Sequence, residues 1–455
     1  MKRHSPDVDM CSGPLVGNLL RFSIPLMASG ILQLLFNAAD IIVLGQFASS
    51  SAMAAVGATS SLNSLMVNLF LGLSIGCSVV MARSYGAQDW RRVHDTVHTA
   101  LLLALFCGVV LVAVGVPLMP ILLRWMDTPA DLLDQSILYM RIVFVGMPAM
   151  MIYDFGAGIL RATGDTRRPL FFLTAAGITN AGLNVIFVLF LQIDVAGVAL
   201  ATSISQYLSA FLVIQCLSEP GTHYQLHPRE MRLCKPVLVQ IVRVGLPAGI
   251  QSAVFSISNV LIQSSINSFG TLAVAGGTAS SNIENFVYTA MNSVYQAALN
   301  FTSQNIGAGK KERIPLILRD CLLIVSVIGL ALGGLAVFFG RELLSIYSSD
   351  PQIIPYGLER IRIICLPYLI CGLMDVTCGV VRGMGAAVTP TIVSLTGACV
   401  LRVIWIYTVF ASFHNLTVLY LSYPVTWAVT FTVHLICFSF FYHRLCRMPA
   451  APAWE

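Results

Sequence analysis

The chain has 455 residues, of which 57% are hydrophobic and only 10% are charged. Soluble globular domains carry about 25% charged residues, so this composition excludes an ordinary soluble domain and indicates a protein of the lipid bilayer. The net charge of +5 does not indicate a nucleic-acid partner, because the basic residues cluster in alternate loops, as membrane topology requires. The twelve cysteines show no CxxC spacing, and we expect small buried residues rather than disulfides or zinc ligands.

Long apolar stretches recur along the whole chain. A membrane-spanning helix needs about 20 mostly apolar residues, and twelve stretches fit this requirement. The predicted fold is therefore an all-α integral membrane protein with twelve transmembrane helices. In chain order the predicted segments are 22–46, 53–82, 94–119, 132–158, 169–191, 194–218, 237–265, 271–302, 315–339, 352–379, 388–411 and 415–441.

The basic residues predict the orientation of these segments. With the N-terminus inside, 18 of the 26 Lys and Arg fall in cytoplasmic loops or helix ends, whereas two, Arg124 and Arg341, fall in outer loops. Cytoplasmic loops of membrane proteins carry an excess of Lys and Arg. The sequence therefore predicts that both termini lie in the cytoplasm.

The two halves of the chain resemble each other at a constant offset. Residues 85–87 recur as 306–308, and 161–164 recur as 382–385, both shifted by 221 positions. Each half has six segments and starts inside, so the repeats are parallel. Two such bundles, with a site between or within them, are typical of alternating-access transporters. The predicted organisation is an N-terminal lobe (1–218), a cytoplasmic linker (219–236) and a C-terminal lobe (237–455).

Asp40 places a carboxylate inside the first apolar segment. An ionisable group in hydrocarbon is costly and marks a functional site by default. Gln33, Asn37 and Asp40 follow i, i+4, i+7 spacing and share one helix face. Burial opposes ionisation and a nearby cation favours it, so such a group can exchange a proton or a cation. We predict that these three residues bind the coupling ion; the alternative is a structural Asp satisfied by Gln33 and Asn37.

A second pair of acids is generated by the repeat. Asp154 and Asp375 lie 221 positions apart, and each precedes an arginine, Arg161 or Arg382, by seven residues. Seven residues are about two helical turns, so each acid shares a face with its arginine. Either these are structural pairs, or the acids line the cytoplasmic vestibule or the substrate cavity and attract a cationic compound.

Aromatic and sulfur-containing side chains suggest further lining of the substrate cavity. Glu284 has Tyr288 four residues later, and a carboxylate beside aromatic rings suits an organic cation. The alternative is a Glu paired with an intramembrane arginine such as Arg402. Met147 and Met151 are candidates because methionine recurs at promiscuous surfaces, although a helical methionine cluster also fits plain packing.

Motifs of enzymes and metal sites are missing from the sequence. His94 and His98 are spaced i, i+4 beside Asp95, but no further ligand is evident nearby, and we expect a cytoplasmic helix end. Neither HExxH nor GxxxxGK[ST] occurs, and no nucleophile–base set falls at a membrane face. We therefore expect neither an enzyme nor an ATPase, and no cofactor or metal beyond H⁺ or Na⁺ as the coupling ion.

Several short motifs, in this order, resemble the multidrug and toxic compound extrusion (MATE) family. They are FNAAD at 36–40, YGA at 85–87, LRATGDT at 160–166 and RGMG at 382–385. The resemblance covers nearly the whole chain. It implies two six-helix lobes in a V shape, and export of organic cations or other amphipathic compounds against inflow of Na⁺ or H⁺.

The resemblance also implies an ion site in the first lobe. In the family this site resembles an Asp on helix one, an Asn and a carboxylate on helix five, and a Thr on helix six. The matching residues here are Asp40, Asn180, Asn184 and Thr202. Asn184 is thus an amide where many relatives carry Asp; an amide oxygen still ligates a hard cation, but the lost charge favours a proton over Na⁺. The alternative role is hydrogen bonding between helices.

The predicted function is therefore secondary active efflux of amphipathic, cationic organic compounds by H⁺ or Na⁺ antiport. The alternative is a flippase or exporter of lipid-linked saccharide precursors on a related scaffold, for which fourteen helices and a basic cavity are expected. We expect a small-molecule substrate, the lipid bilayer as surroundings, no nucleic-acid partner and a monomer. By resemblance to the family, the expected location is the bacterial inner (plasma) membrane.

Overall fold

A computed structural model describes residues 8–47, 50–126, 129–347 and 350–447. Within these ranges the chain is helical without a β-strand, which confirms the all-α prediction. The first half forms α1 (Leu15–Phe47), α2 (Ser50–Gly86), α3 (Trp90–Trp125), α4 (Ala130–Thr163), α5 (Arg167–Asn184) and α6 (Asp194–Leu217). The second half forms α7 (Lys235–Asn267), α8 (Thr271–Gly307), α9 (Ile314–Phe338), α10 (Gly340–Tyr347), α11 (Ile354–Ile364), α12 (Tyr368–Gly383), α13 (Val388–Ser394), α14 (Leu401–Trp405) and α15 (Leu416–Arg447).

The number of apolar spans agrees approximately with the predicted twelve. Among the described residues, ten helices are long and apolar enough to cross a membrane, and the pair α11 and α12, bent by 45°, makes an eleventh. Pro367 caps the start of α12 and cannot donate a backbone hydrogen bond, which explains the break. Helix α8 spans 37 residues but is not among the ten; its middle carries Asn282, Glu284 and Asn285.

Segments of π-helix reproduce the internal repeat in the backbone. Helix α5 continues directly into a π-helix at Val185–Phe190, and α14 continues into a π-helix at Ile406–Phe410. The two segments start 221 positions apart, which is the offset of the sequence motifs. A further π-helix, Leu395–Val400, joins α13 to α14. π-Helical turns are rare and frequently lie at functional sites.

The helices form two compact units. The first holds Ala28–Gly249, and the second holds Asp9–Met27 together with the chain from Ile250. The division points therefore fall inside α1 and α7. The predicted lobe boundaries at the linker 219–236 stay a prediction, and the linker itself packs within the first unit.

In the first unit α4 is central and packs against α2, α3 and α6, while α5 packs against α6. Glycines let α2 and the first part of α7 approach closely. A Cβ atom added to Gly72 would lie 2.1 Å from the backbone nitrogen of Gly249, and one added to Gly76 would lie 2.2 Å from the carbonyl oxygen of Ile241. Pairs of small residues four positions apart are a common way of packing membrane helices.

In the second unit α12 takes the central position and packs against α8, α9 and α15, while α11 packs against α8. These helices are the repeat equivalents of those around α4, so the packing repeats with the sequence. The stretch Asp9–Met27 belongs to this unit as well. Phe22 contacts Phe301 edge to face at 5.6 Å, and Asn305 donates to the carbonyl oxygen of Met10 at 2.9 Å.

Candidate functional site

A close approach of α1 to α5 positions Asp40. Gly177 on α5 faces the ring of Phe36 on α1 so closely that a Cβ atom at position 177 would lie 1.8 Å from that ring. Asp40 lies one helical turn after Phe36, while Asn180 and Asn184 lie one and two turns after Gly177. The contact at Gly177 therefore brings the carboxylate beside both amides.

The expected ion-site residues of the first lobe come together in the structure. The amide of Asn184 donates to Asp40 Oδ1 at 2.5 Å, and it lies 3.2 Å from Asn180 Oδ1. In one orientation the Asn180 amide donates to Thr202 Oγ1 at 3.4 Å. Turned over, it donates to Asp40 Oδ1 at 2.8 Å and accepts from the Thr202 backbone at 3.3 Å. Both orientations connect Asn180 with α6.

One acceptor in this cluster is left over. Asn184 Oδ1 is buried and receives no hydrogen bond from the described residues. A buried carbonyl oxygen without a donor is unfavourable, and such an atom beside a carboxylate suits a proton donor or a cation. Asp40 is half-buried, so the cluster is not sealed within the protein.

The surroundings of Asp40 differ from the sequence prediction in two ways. Gln33 and Asn37 lie on exposed positions of α1, whereas the described hydrogen bonds of Asp40 come from α5. The structure therefore does not support the alternative in which Gln33 and Asn37 satisfy the carboxylate. Tyr139 on α4 lies close enough to Asp40 to interact with it electrostatically. No sequence pattern connects Tyr139 with α1, because the two residues are about 100 positions apart.

Asp154 has an unusual environment in the first unit. It is half-buried on α4 and interacts electrostatically with Arg161, as the shared helix face predicts. Its Oδ2 atom is buried without a hydrogen-bond partner among the described residues. Ser74 on α2 donates to its backbone carbonyl at 2.8 Å. The acid is thus placed near its arginine without a close ion pair in the described part of the chain.

Its repeat equivalent Asp375 has a hydrogen-bonding neighbour. Tyr288 on α8 bonds to the Asp375 carboxylate, and its ring lies 6.4 Å from that of Tyr368. Arg382 interacts electrostatically with Asp375 while donating to the hydroxyl of Tyr295 at 2.5 Å. The structure therefore brings together two predicted cavity residues, Asp375 and Tyr288, in the second unit.

Glu284 is engaged in a buried ion pair. Arg360 on α11 donates to its two carboxylate oxygens at 2.7 and 2.9 Å, and both side chains are buried. The sequence analysis names Arg402 as the possible partner of Glu284, whereas the partner in the structure is Arg360. Because both oxygens are occupied, Glu284 offers little free charge to an organic cation, which corresponds to the structural alternative.

The two candidate methionines are also buried. Met147 and Met151 are 1% and 0% exposed and belong to the apolar core of the first unit. Gly146, beside Met147, faces Ser203 and Gln206 of α6 at very short distance, so this part of α4 is tightly packed. Both methionines therefore pack in the core, as the alternative to a role in the substrate cavity requires.

Comparison with known proteins shows one family throughout. The sequence profile described as MatE matches residues 25–186 and 247–408. The two matched ranges are offset by 222 residues, in agreement with the internal repeat. Together they include Asp40, Asn180, Asn184 and Asp375.

Individual proteins agree with this profile. The chain is 28% identical over 382 residues to the "Probable multidrug resistance protein YoeA" of Bacillus subtilis, covering 82% of each chain. It is 25% identical over 355 residues to a protein of Shewanella oneidensis named "FAD transporter", covering 76% of this chain and 77% of that one. A solved outward-facing structure of a multidrug resistance MATE family transporter covers 98% of this chain and all of its own, with a TM-score of 0.91 and 22% identity. At that identity, the likeness concerns the fold.

Proposed function

Because the chain belongs to the MatE family of membrane transporters, we propose that it exports amphipathic, cationic organic compounds in exchange for H⁺ or Na⁺. The observation that carries the coupling part of this proposal is the hydrogen bond of 2.5 Å between Asn184 and Asp40, next to the unsatisfied Asn184 Oδ1. We place the protein in the inner membrane of a bacterium, as a monomer.

The chemistry of this pair suits two protonation states. When Asp40 is ionised, the NH₂ group of Asn184 donates to it, as in the structure. When Asp40 is protonated, its hydroxyl becomes a donor, and the Asn184 amide turned by half a rotation presents its oxygen as the acceptor. A single side-chain rotation thus accommodates the proton. Because one carboxylate instead of two surrounds the site, we favour H⁺ over Na⁺.

The exchange obtains its energy from an ion gradient. One elementary charge moving inward through 100 mV releases about 2.3 kcal/mol, in addition to its concentration difference. A monovalent cationic substrate leaving the cell takes up the same electrical energy, so a one-for-one exchange is driven by the concentration difference of the coupling ion alone. A tenfold difference, about 1.4 kcal/mol, supports a substrate gradient of about tenfold.

Ethidium efflux from cells that express the protein tests the proposal. We expect Asp40→Asn to abolish efflux, because the variant side chain cannot take up or release a proton. Asp131→Asn, an exposed acid at the start of α4, is the matched control and should retain efflux. Equal efflux by Asp40→Asn and Asp131→Asn at equal protein level would contradict the role of Asp40.

A second measurement separates the coupling ions and the substrate class. Replacing Na⁺ by K⁺ at fixed pH should leave efflux nearly unchanged, whereas collapse of the pH gradient should stop it. Competition by FAD and by lipid-linked saccharides should be weaker than competition by organic cations. The flippase alternative requires the opposite order, and the described neighbours of Asp40 are the amides Asn184 and Asn180 rather than the basic side chains expected for that function.

A further inference from the structure

The mid-chain linker is bound to the first three turns of α3 by hydrogen bonds. Arg232 donates to Asp95 Oδ1 at 2.8 Å, and the backbone nitrogen of Cys234 donates to Thr99 Oγ1 at 3.0 Å. Asp95 and Thr99 are four positions apart and share one face of α3. These two contacts hold the start of α3 against the linker. Both segments belong to the first unit.

This docking brings together three imidazole rings that lie far apart in sequence. The ligand nitrogens of His94, His98 and His227 lie within 4.8 Å of one another. Glu230 adds a carboxylate oxygen 2.9 Å from His94 Nε2. From the sequence we expected a plain helix end with no further ligand near His94 and His98. The linker supplies the further ligands, His227 and Glu230. Sequence analysis could not predict this contact, because His98 and His227 are 129 positions apart.

The donor set matches the preferences of zinc. Zn²⁺ takes histidine nitrogens and carboxylate oxygens in tetrahedral geometry at 2.0–2.1 Å, which puts neighbouring ligand atoms about 3.3 Å apart. The distance of 2.9 Å between His94 and Glu230 and the limit of 4.8 Å among the imidazoles bracket this value. Small side-chain rotations are enough to close the site.

The hydrogen bonds of the rings already select the ligating tautomer. His98 Nδ1 lies 2.7 Å from the carbonyl oxygen of His94, and His227 Nδ1 lies 3.2 Å from that of Gln225. A carbonyl oxygen only accepts, so these contacts favour the proton on both Nδ1 atoms. His98 Nε2 lies 3.2 Å from the carbonyl oxygen of His227 and accepts from the backbone nitrogen of the same residue at 3.0 Å, and the second, shorter contact uses the lone pair that a metal ligand also needs. Histidines that bind metal almost always donate their other ring nitrogen to such a partner.

We propose that His94, His98, His227 and Glu230 bind a divalent transition-metal ion, with Zn²⁺ as the best fit, and so fasten the linker to α3. The ion replaces the backbone N–H of His227, which donates to His98 Nε2 at 3.0 Å. It also takes the place of the proton shared by His94 and Glu230. Entry from solvent is open, since the Glu230 side chain is 61% exposed and that of His94 is 27% exposed.

Zinc binding to the full-length protein in detergent, purified without a polyhistidine tag, tests this site. We expect one Zn²⁺ per chain in competition with a chromophoric chelator, and Co²⁺ should give the intense visible absorption of a tetrahedral site. His227→Ala and Glu230→Gln should each weaken binding at least about tenfold, because ligand losses exceed the 10- to 100-fold effects of outer-shell changes. Glu230 is exposed, so its replacement leaves the packing intact.

His223→Ala is the matched control. His223 lies in the same linker, but its ring stacks on Trp90 at 3.8 Å outside the cluster, so this variant should bind Zn²⁺ like the parent protein. Zinc should also raise the melting temperature of the parent and of His223→Ala but not that of His227→Ala. The proposal is wrong if the parent binds no more Zn²⁺ than His227→Ala, or if all three histidine and glutamate variants bind equally. In that case the rings serve only to pack the linker.

Discussion

At the scale of single residues, the proposed preference for H⁺ over Na⁺ depends on Asn184. Its NH₂ group donates to Asp40, and its oxygen has no hydrogen-bond donor among the described residues. This arrangement can accommodate a proton on Asp40 without a second carboxylate in the site. An aspartate at this position would remove the donor and add that charge. We therefore expect the side chain at position 184 to control selectivity and Asp40 to be the group that binds and releases the ion.

We predict that Asn184→Asp makes efflux depend on Na⁺. A second carboxylate near Asp40 supplies another hard ligand for the cation. At an effective dielectric of about 20, the added negative charge strengthens the attraction of the site for Na⁺ by several kcal/mol. The apparent Na⁺ affinity in efflux assays should rise at least about tenfold. Asn184→Leu, which offers neither donor nor acceptor, should be inactive in either salt. Identical Na⁺ responses of Asn184→Asp and the parent would contradict this assignment.

The ion pair between Glu284 and Arg360 predicts a stability effect of known direction. Both side chains are buried and joined by two hydrogen bonds, so Arg360→Met leaves an uncompensated buried charge. We expect a loss of about 3–5 kcal/mol, seen as a lower melting temperature in detergent. Combining it with Glu284→Gln should recover most of the loss. Arg362→Met, at an exposed position of the same helix, serves as the control and should melt like the parent.

At the scale of helices, the contact of α1 with α5 sets the geometry of the site. Gly177 leaves room for Phe36, and the register of both helices then fixes Asp40 against Asn180 and Asn184. The local sequence of α5 does not distinguish this glycine from Gly182, five positions later. A Cβ atom at Gly182 would meet nothing within 4 Å. Gly182 is therefore a matched control for substitutions at Gly177.

We predict that Gly177→Ala impairs both stability and efflux, whereas Gly182→Ala leaves them nearly unchanged. Overpacking of this kind costs about 1–3 kcal/mol, and here it also moves α1 away from the amides. Adding Phe36→Ala to Gly177→Ala restores space, and part of the efflux should return. Melting curves together with ethidium efflux measure both effects. A Gly182→Ala variant as impaired as Gly177→Ala would show that the effect does not come from the contact with Phe36.

Helices could be predicted well from this sequence, whereas contacts between distant segments could not. The length and apolarity of the segments, the i, i+4 spacing of Asn180 with Asn184 and the offset of 221 all lie in local or periodic patterns. The partner of Glu284 is an arginine 76 positions away, and His227 reaches α3 from the linker. Neither contact leaves a periodic signal. The π-helix after Asn184 was equally hidden, because nothing in VIFVLF distinguishes it from an α-helical run.

At the scale of the whole molecule, the distribution of Lys and Arg predicts a topology that one thiol can report. Cys446 is the exposed cysteine among the described residues and lies at the end of α15, expected inside the cell. A membrane-impermeant maleimide should label the parent protein in inverted vesicles but not in intact cells. Cys446→Ser should lose this labelling, and an added Ser412→Cys in the outer loop should be labelled in intact cells. Labelling of Cys446 from outside would reverse the topology.

The division of the compact units inside α1 and α7 has an evolutionary consequence. The first unit contains α2–α6 complete and the second contains α8–α15 complete. Each unit, however, obtains the opening stretch of its first helix from the other repeat. Pro25 and Pro247 stand just before the two points of exchange. A six-helix ancestor, before duplication and fusion, would have completed its fold by swapping these stretches with an identical copy. A chain cut within 219–236 should therefore fold only when both fragments are synthesised together, which co-expression and co-purification of the fragments can establish.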